Sequence, residues 1–159
     1  MTSSKDKSYL QQAIRLAREG IGQGKGGPFG CIIVKADEVI GTGNNLVTST
    51  NDPTAHAEVV AIRGACAYLN SYQLTGCTVY ASCEPCPMCL GAIYWARPDR
   101  LVYASTRLDA ADAGFDDDLI YREIALPAGE RQIPFVFVPE QEALDVFMAW
   151  KKMSNKKLY

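Results

Sequence analysis

A single histidine limits the chemistry open to this chain. It stands in His56-Ala57-Glu58, and a cysteine pair follows in Pro85-Cys86-Pro87-Met88-Cys89. One imidazole and two thiolates make three candidate metal ligands: His56, Cys86 and Cys89. A structural zinc is held by four protein ligands, whereas a catalytic zinc keeps three and leaves the fourth place to water. Glu58, beside the histidine, is placed to move that water's protons. The pattern therefore predicts a catalytic zinc. A structural site would need one more protein ligand, with Cys83 the candidate.

The chain has 159 residues, of which 48% are hydrophobic and 21% charged, and this balance fits one globular domain. A formal charge of -2 argues against a broad nucleic-acid surface, which is usually basic. No apolar run approaches a membrane span, and the opening residues are polar, so the expectation is a cytoplasmic protein without a membrane partner. In a reducing compartment, cysteines are thiols or ligands rather than disulfides. Cys31, Cys66, Cys77 and Cys83 then read as small buried residues.

Apolar spacing predicts an amphipathic helix over 9–20, ended by glycines. Gly26-Gly27-Pro28-Phe29-Gly30 is a loop into a strand at 31–35. It lacks the lysine and hydroxyl residue of a phosphate loop. Phe29 is either a stacking face for a flat ligand or a core aromatic. Asp37-Glu38 turns into a second strand at 39–43. Asn44 and Asn45 then open a polar loop; their amides could read a purine edge or simply shape the backbone. Asp52-Pro53 looks like a cap and first turn for a helix over 54–69. Residues two apart do not share a helix face, so His56 and Glu58 can serve one site only at the end of that helix. A strand at 78–81 leads into a second helix with Cys86 and Cys89 in its first turn. Two helix N-termini aimed at one point favour negative charge there and lower thiol pKa values. Further strands are expected at 100–105 and 133–138. Between them the acidic run 109–118 is a solvated surface or an active-site lid. An apolar stripe over 141–153 reads as a final helix in core or dimer contact.

Strands alternating with helices give an α/β domain. With these segments in view, the sequence resembles the cytidine-deaminase superfamily, nearest its small bacterial guanine deaminases. The likeness rests on G-G-P-F-G at 26–30, N-D-P-T-A-H-A-E at 51–58, S-C-E-P-C-P-M-C-L-G-A-I-Y-W-A-R-P at 82–98, A-G-F-D-D at 113–117 and N-K-K-L-Y at 155–159. H-x-E followed by P-C-x-x-C is the signature of zinc-dependent nucleobase deaminases. The first three segments are shared with tRNA adenosine and cytosine deaminases; the last two point to guanine.

The resemblance implies a three-layer α/β/α fold with a five-stranded mixed sheet, forming a single domain over the whole chain. It implies a homodimer in which the segment from about 140 to 159 crosses to the partner. It also implies one zinc per subunit, held by His56, Cys86 and Cys89, with Glu58 as proton shuttle. The substrate is then a purine base: guanine is hydrolysed to xanthine and ammonia. Asn45, or Asn44 beside it, would hold the purine, and Phe29 and Trp95 would line the pocket. Ala57 and Ser82 would be further substrate contacts. Asp117, or Asp116 or Asp118, would contact the base and help ammonia leave, and Tyr159 would close the site. Related substrates within the superfamily are tRNA adenosine, cytosine, guanosine and triazines such as ammeline. Outside it, the competing reading is a non-catalytic zinc-stabilised module.

Overall fold

The structure is a computed structural model and describes residues 3–115 and 117–159. Asp116, one candidate for the base contact, lies outside the described residues. The chain divides into two units, one ending at Tyr121 and the other Arg122–Tyr159.

The first unit is built on β1 (Gly30–Lys35), β2 (Glu38–Asn44), β3 (Cys77–Cys83) and β4 (Arg100–Ser105). They form one sheet in the order β2-β1-β3-β4. β1 is antiparallel to both its neighbours, and β3 runs parallel to β4, so the sheet is mixed. β1 and β3 are buried on both faces, which is why residues 31–34 form an unbroken apolar run and 79–81 a shorter one. Cys31, Ile33, Cys77 and Val79 meet Ala57, Ala61 and Ala65 of α3 (Ala57–Leu69) and Ile93 and Ala96 of α4 (Pro87–Ala96). Ile32, Val34 and Tyr80 meet Tyr9, Leu10 and Leu16 of α1 (Ser4–Gly22), and a single turn, α2 (Val47–Thr50), lies between β2 and α3. Helix, sheet and helix make the three expected layers.

α3 approaches β2 closely because both sides are small. A Cβ on Gly41 would lie 2.6 Å from the Ala61 carbonyl oxygen, and one on Gly43 would strike the Ala57 carbonyl. The first turn of α3 is thereby seated on the end of β2. Ala36 and Asp37 both have positive φ, 48° and 68°, and make the two-residue hairpin turn between β1 and β2. The turn thus begins one residue before the expected Asp37-Glu38. α1 starts earlier than expected because Ser3 and Asp6 form a reciprocal capping box.

The acidic run is neither a plain solvated surface nor a loop throughout. A second capping box, Thr106 with Asp109, opens α5 (Arg107–Asp112), and Asp117 and Asp118 occupy the first turn of α6 (Asp117–Ala125). Carboxylates are favoured at both places because helix N-termini carry partial positive charge.

The fifth strand expected at 133–138 does not form; among the described residues the sheet has four strands. The segment has the right alternation, but a strand exists only through a paired ladder. Pro134 and Pro139 lack N–H groups to give one, and Phe135, Val136, Phe137 and Val138 are all exposed. The second unit also contains a short 3-10 turn (Ala128–Glu130) and α7 (Gln141–Lys152). The Arg131 guanidinium lies 4.7 Å from the centre of the Phe135 ring. Leu144, Phe147 and Met148 of α7 are exposed, so its apolar stripe is not core of this chain. No helix among the described residues is long and apolar enough to cross a membrane.

Candidate active site

The helix carrying His56 begins later than Asp52-Pro53 suggested. Asp52 spends its carboxylate on a local turn: Oδ1 accepts from the Thr54 N–H at 2.8 Å and from the Thr54 hydroxyl at 2.7 Å. The chain turns again before entering α3, and His56 is the N-cap, with extended backbone. Glu58 is then in the first turn, the one arrangement in which residues two apart reach a common point. Cys86 is likewise the N-cap of α4, with Pro87 at the first helical position. Cys89 follows one turn inside and is fully buried.

These two helix starts converge. His56 Nδ1 lies 3.5 Å from Cys86 Sγ and 3.5 Å from Cys89 Sγ. The three ligand atoms all lie within 4.8 Å of one another. Zinc bonds of about 2.0 Å to nitrogen and 2.3 Å to sulfur, at a tetrahedral angle, separate N from S by roughly 3.5 Å. Two sulfurs and an imidazole at this spacing therefore fit a zinc ion. Cys83 is not in the group; its thiol points to the Thr106 carbonyl at 3.4 Å. The fourth protein ligand that a structural site would need is not supplied from there.

Glu58 is buried, and its Oε2 lies 3.4 Å from Cys89 Sγ. Burial raises its pKa above the usual carboxylate range, which suits a group that must both take and give a proton. Cys86 is held below the usual thiol range, first by the hydrogen bond from the Cys89 thiol and then by His56 and the Cys89 N–H. Cys89 is raised by the same shared bond and by burial. The two shifts are opposite, and the lowered one belongs to Cys86, at the helix start, where negative charge is favoured. His56 is raised mainly by its bond to Cys86, with smaller contributions from the charges of Glu58 and Asp117.

The two asparagines have different surroundings. Asn44 donates its amide to the Leu16 carbonyl at 2.5 Å, tying β2 to α1. Asn45 is buried, and its Oδ1 accepts from the N–H groups of Gly27 and Val47, each at 3.2 Å. A Cβ on Gly26 would strike that same oxygen, which accounts for the first glycine of the 26–30 loop. Phe29 is half-buried against the core and meets Phe115 edge to face, with ring centres 4.8 Å apart. Phe115 lies within A-G-F-D-D, and its pairing with Phe29 is a contact no local pattern reveals. Ser82 accepts the Gly30 N–H on its hydroxyl at 3.0 Å, and Ala57 is buried in the first turn of α3. Trp95 is 63% exposed. It stands on α4 roughly 9 Å of helix rise beyond Cys89. Tyr159 is exposed at the end of the second unit.

Three ligand atoms gathered at two helix starts, with a buried glutamate alongside, define a metal-dependent hydrolase of the deaminase type. The family is equally plain from sequence comparison. The model of the "cytidine and deoxycytidylate deaminase zinc-binding region" matches residues 3–105, and the chain belongs to that family. The chain is 58% identical to guanine deaminase of Bacillus subtilis (strain 168) over 153 residues, 96% of this chain and 98% of that one. The crystal structure of guanine deaminase from Bacillus subtilis superposes with a TM-score of 0.94 at 57% identity, covering 96% and 98% of the two chains. A tRNA-specific adenosine deaminase of Aquifex aeolicus (strain VF5) is 33% identical over 148 residues, 92% of this chain and 95% of that one.

Proposed function

We propose that this protein is a zinc-dependent aminohydrolase that converts guanine to xanthine and ammonia. The observation that carries the chemistry is the meeting of His56 Nδ1 with both sulfurs beside buried Glu58. The choice of base is supported by the degree of likeness: 58% identity to guanine deaminase over 96% of the chain, against 33% to the tRNA-specific adenosine deaminase over 92%.

In this reading His56, Cys86 and Cys89 hold one zinc per subunit. When bound, zinc supplies a water that is nucleophilic at neutral pH. Glu58 takes a proton from the attacking water and delivers it to a ring nitrogen. It then takes the proton of the hydroxyl added at C2 and passes it to the amine, so that the C2–N bond breaks, ammonia leaves and the C2 carbonyl of xanthine forms. The Asn45 oxygen is already engaged by Gly27 and Val47, so its amide N–H groups are the ones left to face a ligand. A donor at this place can hold a purine through a ring nitrogen or a carbonyl oxygen. Asn44 is committed to Leu16, which favours Asn45 for this role. Phe29 stacks on the base, and Ala57 and Ser82 complete the contacts near the ligands. Asp117 binds the departing amine. The apolar 133–138 segment and the α7 stripe are exposed, which supports a homodimer in which the C-terminal segment is exchanged. Tyr159, and with it Trp95, would then complete a site within the dimer. Free cysteines throughout are in keeping with a cytoplasmic enzyme.

The test is a panel of guanine, guanosine, adenine, cytosine, ammeline and tRNA, with released ammonia as the readout. Ammonia from guanine, lost on chelation and restored by zinc, is the expected result. Intact guanine beside consumed cytosine or deaminated tRNA would overturn the assignment of the base.

A further inference from the structure

We propose that Tyr121 is a positioning residue for this reaction: it anchors α6 to the loop carrying Cys86 and so sets Asp117 beside the metal ligands. The inference rests on the role given to Asp117 above. Tyr121 donates its phenol O–H to the Pro85 carbonyl at 3.0 Å, one residue before Cys86. That carbonyl lies outside α4, whose first helical bond runs from the Leu90 N–H to the Cys86 carbonyl, so a side chain can take it. Asp117 and Tyr121 are four apart on α6 and share a face. A bond at the tyrosine therefore fixes both the rotation and the height of the aspartate.

The neighbouring contacts make this anchor firm. The Arg107 guanidinium lies 4.6 Å from the centre of the Tyr121 ring. The Arg107 N–H donates to Glu84 Oε2 at 3.0 Å, and the Glu84 N–H donates to the Ser105 carbonyl at 2.9 Å. Glu84-Pro85 is thus held from α5, from β4 and from α6. At the other end of the same segment Phe115 rests edge-on against Phe29. Asp117 stands between these two aromatic attachments, on a helix with no buried residue of its own.

The experiment is a double-mutant cycle on the zinc-loaded enzyme with Tyr121→Phe and Asp117→Asn, read by single-turnover rates so that slow variants remain measurable. Tyr121→Phe keeps the ring and the arginine above it. Its kcat is expected to fall about 10- to 100-fold, as for a catalytic group displaced by about 1 Å. Zinc content and melting temperature should stay near the parent's. Amide exchange within α6 should quicken about 5-fold, as for the loss of one hydrogen bond. In the Asp117→Asn background the same substitution should cost no further rate, because the group it positions is gone. Arg107→Leu, which leaves the phenol bond in place, should show a smaller loss with the same dependence on Asp117. Losses that multiply across the cycle, or unchanged turnover in Tyr121→Phe, overturn the role of Tyr121. If Asp117→Asn alone turns over normally, the parent reading of Asp117 fails instead.

Discussion

Replacing Gly43 with alanine adds one methyl group far from any reacting atom, yet it should damage the site. The new Cβ would strike the Ala57 carbonyl oxygen and lie 2.8 Å from the Ala61 nitrogen. Ordinary contact begins at 3.4 Å, so α3 must retreat by at least 0.6 Å (3.4 − 2.8), and the carbonyl demands more. Both obstacles are backbone atoms, so no rotamer change relieves them. Overpacking of this kind costs about 1–3 kcal/mol. For a chain of this length that lowers the melting temperature by roughly 2–12 °C. The same retreat carries His56 away from the sulfurs, because the nitrogen rides on α3 and the sulfurs on α4. A shift near 1 Å reduces turnover about 100-fold. Gly64→Ala is the control. It lies on the exposed side of the same helix, and a Cβ there meets nothing within 4 Å. It should stabilise by about 0.5–1 kcal/mol through helix propensity alone. Thermal melting, zinc content and the initial rate of ammonia release read all three effects. A Gly43→Ala protein that melts with the parent and keeps its zinc and rate would show that α3 is not seated by this contact.

Two further substitutions probe the chemistry and the frame. Glu58→Gln should keep zinc and fold yet lose about 10² to 10⁴ in turnover, the usual value of a general acid–base group; full activity with bound zinc would refute the proton shuttle. Asp6 is buried and accepts from Arg100 at 2.8 and 3.0 Å and from the Tyr80 hydroxyl at 2.9 Å. The Arg100 guanidinium, helped by Ser3 and Tyr80, holds its carboxyl well below the ordinary 3.8. A depressed folded pKa means stabilisation present above that ordinary value and lost as pH falls toward the folded one. Asp6→Asn should therefore melt lower than the parent at pH 7, with the gap closing below about pH 4. A gap unchanged down to pH 2 would place the effect in packing rather than in the ion pair.

What the sequence disclosed was whatever depends on nearby residues. β1 is legible because burial on both faces needs an unbroken apolar run, and Arg100–Ser105 is a strand as expected. The cluster of His56, Cys86 and Cys89 was legible because histidine occurs once and the cysteine spacing matches a helix turn. Two kinds of feature were not. The first is competition for a side chain: Asp52 looked like a cap, but Thr54 takes its carboxylate first. The second is partnership across distance. Tyr121 with Pro85 and Phe29 with Phe115 leave no periodic trace, and 133–138 has a strand's alternation without a ladder partner among the described residues.

The positions of His56 and Cys86 carry a local inconsistency that suits the proposed metal site. The His56 side chain accepts no capping hydrogen bond from the α3 backbone, where aspartate or serine would accept one and stabilise the helix by about 1 kcal/mol. Cys86 caps α4 with a sulfur 3.5 Å from the Cys89 N–H, a weak substitute for an oxygen. Helices whose starts are poorly capped by the ordinary rules are held instead by tertiary contact, α3 through its alanine face against Gly41 and Gly43. This frees the cap positions for groups chosen by chemistry. It also accounts for the single histidine's place: an N-cap points along the helix axis, where a second helix can bring its own start to the same point. Neither helix face could do this, because His56 and Glu58 would diverge on one. The caps are the places where propensity and function disagree, and there the sequence follows function.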